Sequence, residues 1–248
     1  MKIIKNIYYG QELIEDKSMD IYLPEDRPRA AFLYIHGGGL TSGDKNFSPP
    51  GEFLSKNGIA YATINYRMYP NYKYPDFIYD AAEAGAYAKK YFSDMGCDEL
   101  YVGGSSAGGY ISMMLCFDKK YLSEYGIDNS MISGYFHDAG QPTAHFTVLK
   151  YSGLDSRRLI VDESAPLYHI GPDNNYPRMR FIVSDNDIKC RYEQTMLTLA
   201  TLSHFGYTGF DHKLIHGSHC AYYEAIDENG DSVIGKMILD FISECKGK

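Results

Sequence analysis

Short apolar runs alternate with amphipathic stretches along most of the chain. Residues 30–35 (AAFLYI) and 58–66 (GIAYATINY) are almost wholly apolar, as expected for strands covered on both faces. Residues 100–103 form a third such run, and 131–136, 180–183 and 213–215 read as later strands. Upstream, residues 7–23 alternate polar and apolar positions, which predicts two strands at a sheet edge. Helical periodicity fills the intervals. Phe77, Ala81, Ala84 and Ala88 share one face of a helix predicted over 75–92, with Pro75 near its start, where a missing N–H costs little. A helix over 191–205 stops at Gly206, a suitable residue to end it. A last helix over 232–242 puts Val233, Ile234, Met237, Ile238 and Phe241 on one side. Strands interleaved with helices, without repeats or a separating linker, predict a mainly parallel, doubly wound α/β sheet. The 248 residues suit one large domain over 1–248.

Composition narrows the partners more than the fold. The net charge of −8 argues against nucleic acid and against close approach to an anionic membrane surface. The apolar run at the N-terminus ends by Tyr9 with no small-residue cleavage site, so no signal peptide is expected. No apolar run is long enough to span a bilayer. Five cysteines, an odd number without metal-binding spacing, point to reduced thiols in a cytoplasmic protein. The 24 tyrosines and absent tryptophan fit ordinary core and surface use, with a sugar- or aryl-binding surface as the alternative.

Candidate chemistry sits at two glycine-rich segments. Gly104-Ser105-Ser106-Ala107-Gly108 follows the apolar run 100–103 and precedes an apolar helical stretch. This is G-x-S-x-G, a tight strand-to-helix turn that exposes its central hydroxyl at a helix N-terminus. Side chains at Gly104 and Gly108 would meet neighbouring backbone there. Ser106 is therefore the candidate nucleophile. His36-Gly37-Gly38-Gly39 follows the strand 30–35 at once. Successive glycines let backbone N–H groups face an oxyanion, and the donors are assigned to Gly38, Gly39 and Ala107. His36 is expected to orient that loop rather than to act as a base. The base should be a histidine on a late loop at a strand's carboxyl end, either His219 or His216. His219 is preferred because His216 stands one residue past 213–215, where the sheet would hold it.

HGGG, the Asn65-Tyr66-Arg67 segment with Pro70 behind it, and GSSAGG resemble the hormone-sensitive-lipase-like esterases and their short microbial relatives, from about Met19 to the last helix. The resemblance implies an α/β-hydrolase fold and a Ser–Asp–His order along the chain. Members usually carry Gly at the Ser184 position with the catalytic Asp three residues on, which selects Asp187 over Asp185. His219 matches the family's histidine loop. The implied reaction is ester hydrolysis through an acyl-enzyme on Ser106, with neither metal nor organic cofactor called for.

With only 35 residues before His36, which read as edge strands, the cap of the larger members is not expected. Residues 137–179 are expected to hold a small lid or rim, chiefly 137–142 and 151–167. Leu40, Tyr135, His137 and Tyr151 are candidates to line the pocket. These features suggest short acyl groups, with acetyl groups on oligosaccharides as the extension drawn from the short relatives. Feruloyl-type esterases and arylformamidases share the same turn and residue order; arylformamidases usually carry Trp where Leu40 stands. A non-catalytic binding protein on the same fold is the reading from a different class, and its mark would be a broken set of site residues.

Overall fold

In the computed structural model, which describes residues 1–172 and 175–246, β3 (Ala30–Ile35) and β4 (Ile59–Ile64) are buried throughout their lengths. The two pair in parallel, as continuous apolar runs require when helices cover both faces. Alternate residues serve opposite layers. Ala31, Leu33 and Ile35 join one core cluster, while Ala30, Phe32 and Tyr34 join the other.

The described strands form one sheet: β1 (Lys2–Tyr8), β2 (Ser18–Leu23), β4, β3, β5 (Leu100–Ser105), β6 (Gly134–Asp138), β7 (Met179–Asn186) and β8 (Phe210–Ser218), in that spatial order. β2 pairs antiparallel with both β1 and β4 at one edge, and the remaining pairs are parallel. This is the doubly wound α/β sheet that the apolar pattern predicts. Leu54 of α1 (Pro50–Lys56) and Ile234, Ile238, Phe241 and Ile242 of α7 (Val233–Lys246) cover one face. Residues of α2 (Asp76–Asp94), α3 (Ala107–Phe117) and α6 (Arg191–His204) cover the other. Each fully buried large side chain there, such as Phe77 or Phe241, contributes about 1.5–3 kcal/mol relative to exposure.

Strand order positions the site. The chain passes from β3 through α1 out to β4, then returns through α2 to β5 on the other side of β3. Right-handed crossovers place α1 and α2 on opposite faces and open a crevice at the carboxyl ends of β3 and β5. Ile35 pairs with Gly104 there, so the HGGG loop and the Ser106 turn leave the sheet side by side.

Several boundaries differ from expectation. The strand expected over 131–136 is displaced to Gly134–Asp138, because residues 129–131 form a 3-10 turn capped by the Asp128 side chain, which accepts from the Ser130 N–H. α1 and the short helices α4 (Lys120–Glu124) and α5 (Phe146–Tyr151) fall where the periodicity predicts no helix.

The expected rim also changes shape. His137 and Asp138 belong to β6, and residues 137–142 are buried rather than lid-like. Residues 151–163 are mostly exposed, and the stretch is anchored near its end, where residues 164–166 are buried and Tyr74 and Tyr110 donate to the carbonyls of Glu163 and Ser164. Asp173 and Asn174 of the same expected segment lie outside the described residues.

Candidate active site

Ser106 sits between β5 and α3 with φ 56° and ψ −114°, a left-handed backbone that costs a non-glycine residue about 1–3 kcal/mol. Its surroundings hold it there. A Cβ on Gly104 would stand 2.3 Å from the Ile35 carbonyl oxygen, and one on Gly108 only 1.9 Å from it. Both glycines are thus required by the close approach of α3 to β3. The Ser106 N–H donates to the Asp138 carbonyl at 2.8 Å, and α3 begins directly after it, its positive end beside the hydroxyl.

The HGGG loop is fixed from below. His36 is buried against Tyr66, with ring centroids 4.4 Å apart, and the Tyr66 hydroxyl donates to the His36 carbonyl. Burial pushes the His36 imidazole down to about 4, only partly offset by its hydrogen bond to Gly37, so it is neutral near pH 7. The neighbouring Arg67 forks onto the buried Asp80, while the Asn65 side chain accepts from the Lys45 N–H at 2.7 Å. Gly38 and Gly39 have φ of 104° and 64°. At Gly38 a Cβ would be 2.0 Å from the Ser42 carbonyl, and the Gly39 carbonyl accepts from Thr147 of α5 at 2.6 Å. Gly37, Gly38 and Gly39 border the same cavity as Ser106, and Ala107 opens α3 beside it.

Two His–Asp pairs cross from the β8 end to the β7 end. His216 Nδ1 donates to Asp185 at 2.5 Å, and its side chain is 93% exposed. His219 Nδ1 donates to Asp187 at the same 2.5 Å, with Asp187 buried and His219 mostly so. Only the second pair continues onward. The Ser106 hydroxyl donates to His219 Nε2 at 2.8 Å. Burial raises the Asp187 carboxyl, but the hydrogen bond and charge of His219 and the N–H groups of Ile188 and Ser184 outweigh it and leave it below its ordinary value. Asp187 is therefore ionised at neutral pH and available to accept from the ring it faces.

The cavity over Ser106 measures about 440 Å³. Its walls are Phe47, Phe146, Ile188 and Tyr223, from four separate segments. Tyr223 stacks on Tyr34 at 5.8 Å and lies 5.9 Å from the Phe47 ring. None of the four residues expected to line the pocket does so. Leu40 is fully buried in the core, where its carbonyl accepts from the Tyr69 N–H. Tyr135 and His137 lie on the face of β6 that packs against α3, bonded to Asn129 and Ser112. Tyr151 is partly exposed and stacks on Tyr69 at 4.2 Å, away from Ser106.

A buried carboxylate below the site stands outside the residues that the sequence patterns single out. Asp138, at the end of β6, accepts from the Ser105 and Tyr222 hydroxyls. Its sequence signal is slight, because the apolar run expected as a strand ends at residue 136, two residues before it. Among the described residues, no group of three or more His, Cys, Asp or Glu side chains has the arrangement to hold a metal ion, and no helix is long and apolar enough to cross a membrane. All five cysteines are free.

Residues 19–154, more than half of the chain, match the pattern of the BD-FAE family. The chain belongs to the BD-FAE family. The match takes in the HGGG loop, the Asn-Tyr-Arg segment and the Ser106 turn, the segments that carry the resemblance to lipase-like esterases. Among curated relatives, a "Probable isoprenylcysteine alpha-carbonyl methylesterase" of Oryza sativa subsp. japonica is 27% identical over 148 residues, covering 56% of this chain and 35% of that protein. The chain spans about a third of the length of the first curated relatives it matches. Esterase B from Lactobacillus rhamnosis superposes with a TM-score of 0.79 at 18% identity, over 99% of this chain and 86% of that one. A truncated carbohydrate esterase from gut microbiota gives 0.77 at 18%, over 100% and 97%. At such identities these structures establish the shared α/β-hydrolase fold.

Proposed function

We propose that this BD-FAE family member is a serine carboxylesterase in which Ser106 is the nucleophile, His219 the base and Asp187 its partner. The observation that carries the reading is the unbroken chain from the Ser106 hydroxyl through both nitrogens of His219 to the buried Asp187. Ser106 Oγ attacks the ester carbonyl carbon as its proton passes to His219 Nε2. The carbonyl π electrons move to oxygen, which the N–H groups of Gly38, Gly39 and Ala107 stabilise. The tetrahedral species then expels the alcohol, which takes the proton from His219. Water adds to the acyl-Ser106 carbonyl while His219 removes its proton. Collapse releases the acid and returns that proton to Ser106. Asp187 keeps the ring in the tautomer that accepts at Nε2 and stabilises the imidazolium.

For the substrate, we infer a short acyl group, with acetyl on an oligosaccharide as the natural case. The modest cavity and the carbohydrate-esterase neighbour support it. A feruloyl-type or other aryl ester is the second reading, favoured by the ring walls of Phe47, Phe146 and Tyr223. Hydrolysis of p-nitrophenyl esters from acetyl to octanoyl, beside acetylated xylo-oligosaccharides and methyl ferulate, separates them. A sharp acetyl preference with acetate released from the oligosaccharide supports the first. Turnover of ferulate replaces it with the second, and activity spread over long chains removes the short-acyl inference.

A further inference from the structure

Asp138 takes no part in the steps above, yet it joins both segments that perform them. It is fully buried at the carboxyl end of β6. From the nucleophile turn, the Ser105 hydroxyl donates to its Oδ2 and the Ser106 N–H donates to its carbonyl oxygen. From the histidine loop, the Tyr222 hydroxyl, three residues past His219, donates to its Oδ1. Ser105 in turn accepts from the Tyr34 hydroxyl at 2.7 Å, so its own proton is committed to Asp138. A buried charge without such donors is costly, and one kept inside a fold needs a reason.

We propose that Asp138 is a positioning residue that ties the Ser106 turn to the His219 loop and places a second carboxylate where it favours the His219 imidazolium formed on attack. The inference rests on the proposed roles of Ser106 and His219.

Two hydroxyl donors aimed at two carboxyl oxygens need the ionised form, because a protonated carboxyl or an amide would oppose one of them with a hydrogen of its own. The groups that act on the carboxylate come from every neighbouring element: Tyr34 on β3, Ser105 on β5, Asp187 after β7, and His219, Cys220, Tyr222 and Tyr223 after β8. Among them His219 is the group that becomes cationic. Burial lifts Asp138 to about 6 against the pull of its hydroxyl donors and of His219, so the tie is complete above that pH and weakens below it.

The test compares Asp138→Asn and Tyr222→Phe with the unaltered protein on p-nitrophenyl acetate, across pH. Asp138→Asn is expected to lower kcat about 10- to 100-fold with KM nearly unchanged, as a small misplacement of reacting groups does. Its acid limb in kcat/KM should also move to lower pH, because a buried negative charge that interacts with His219 is gone. Tyr222→Phe keeps the charge and loses one tie, so kcat should fall about fivefold with the acid limb in place. A merely structural role would lower the melting temperature and leave the acid limb where it was.

An NMR titration of the His219 ring, which does not depend on turnover, should show the same downward move in Asp138→Asn. It thereby separates failure of this inference from failure of the esterase reading. Unchanged kcat together with an unmoved His219 titration in a folded Asp138→Asn overturns the proposal. If that variant does not fold, Tyr222→Phe decides, and kcat equal to the unaltered protein overturns it.

Discussion

Two His–Asp pairs with the same 2.5 Å separation stand a few residues apart, and only one of them reaches Ser106. Asp187→Asn is the discriminating perturbation. Its amide would face the His219 Nδ1–H with an N–H of its own unless it rotated, and the ring would settle in the tautomer that carries its proton on Nε2. That nitrogen could then no longer accept from Ser106, which it does at 2.8 Å. Loss of the useful tautomer in comparable triads costs about 10⁴ in kcat, or about 5.4 kcal/mol of barrier. Asp185→Asn removes an equally short bond to a ring that is 93% exposed and has no contact with Ser106. Exposed pairs of this kind matter little, so kcat should stay within about twofold. Initial rates on p-nitrophenyl acetate, with circular dichroism as a check on folding, read both variants. Equal losses, or a larger loss in Asp185→Asn, would refute the assignment of Asp187.

Gly108→Ala should destabilise by about 1–3 kcal/mol or more, since its Cβ would press on the Ile35 carbonyl at 1.9 Å. Gly85→Ala, with ordinary contacts of 3.7 Å or more in α2, should gain up to about 1 kcal/mol in the same melting experiment. Equal melting temperatures for the two variants would contradict the packing argument. The folded state holds the Asp138 proton more tightly than the unfolded chain, about 6 against 3.8. Stability relative to Asp138→Asn should therefore fall by roughly 2.4 kcal/mol as pH rises from about 4 to 8. Urea unfolding at both ends reads it, and a pH-independent difference would contradict it. Phe47→Ala, which opens one cavity wall, should raise KM for methyl ferulate about tenfold more than for p-nitrophenyl acetate if rings pack there. A parallel rise for both would take Phe47 out of substrate choice.

What the chain reveals locally is what backbone geometry dictates. Gly104, Gly108 and the HGGG run are demanded by close approaches and left-handed torsions within a few residues, and they name Ser106 and the loop facing it. The doubly wound sheet follows from buried apolar runs such as 30–35. Facing is harder to read. Tyr135 and His137 alternate with Phe136 and Asp138 along β6, and which pair meets α3 is settled by how the sheet packs. Leu40 disappears into the core because the loop turns back at φ 64°. The true cavity wall draws Phe47, Phe146, Ile188 and Tyr223 from four places far apart in sequence. α1 is seven residues long and starts at a proline pair, too short for periodicity to announce.

The central claim is that Ser106 is the reacting hydroxyl. Treatment with a fluorophosphonate, followed by peptide mass spectrometry, tests it in one step. A single adduct on Ser106 is expected, with complete loss of esterase turnover in proportion to labelling and no adduct in Ser106→Ala. Labelling elsewhere with loss of activity, or full activity in Ser106→Ala, would contradict it.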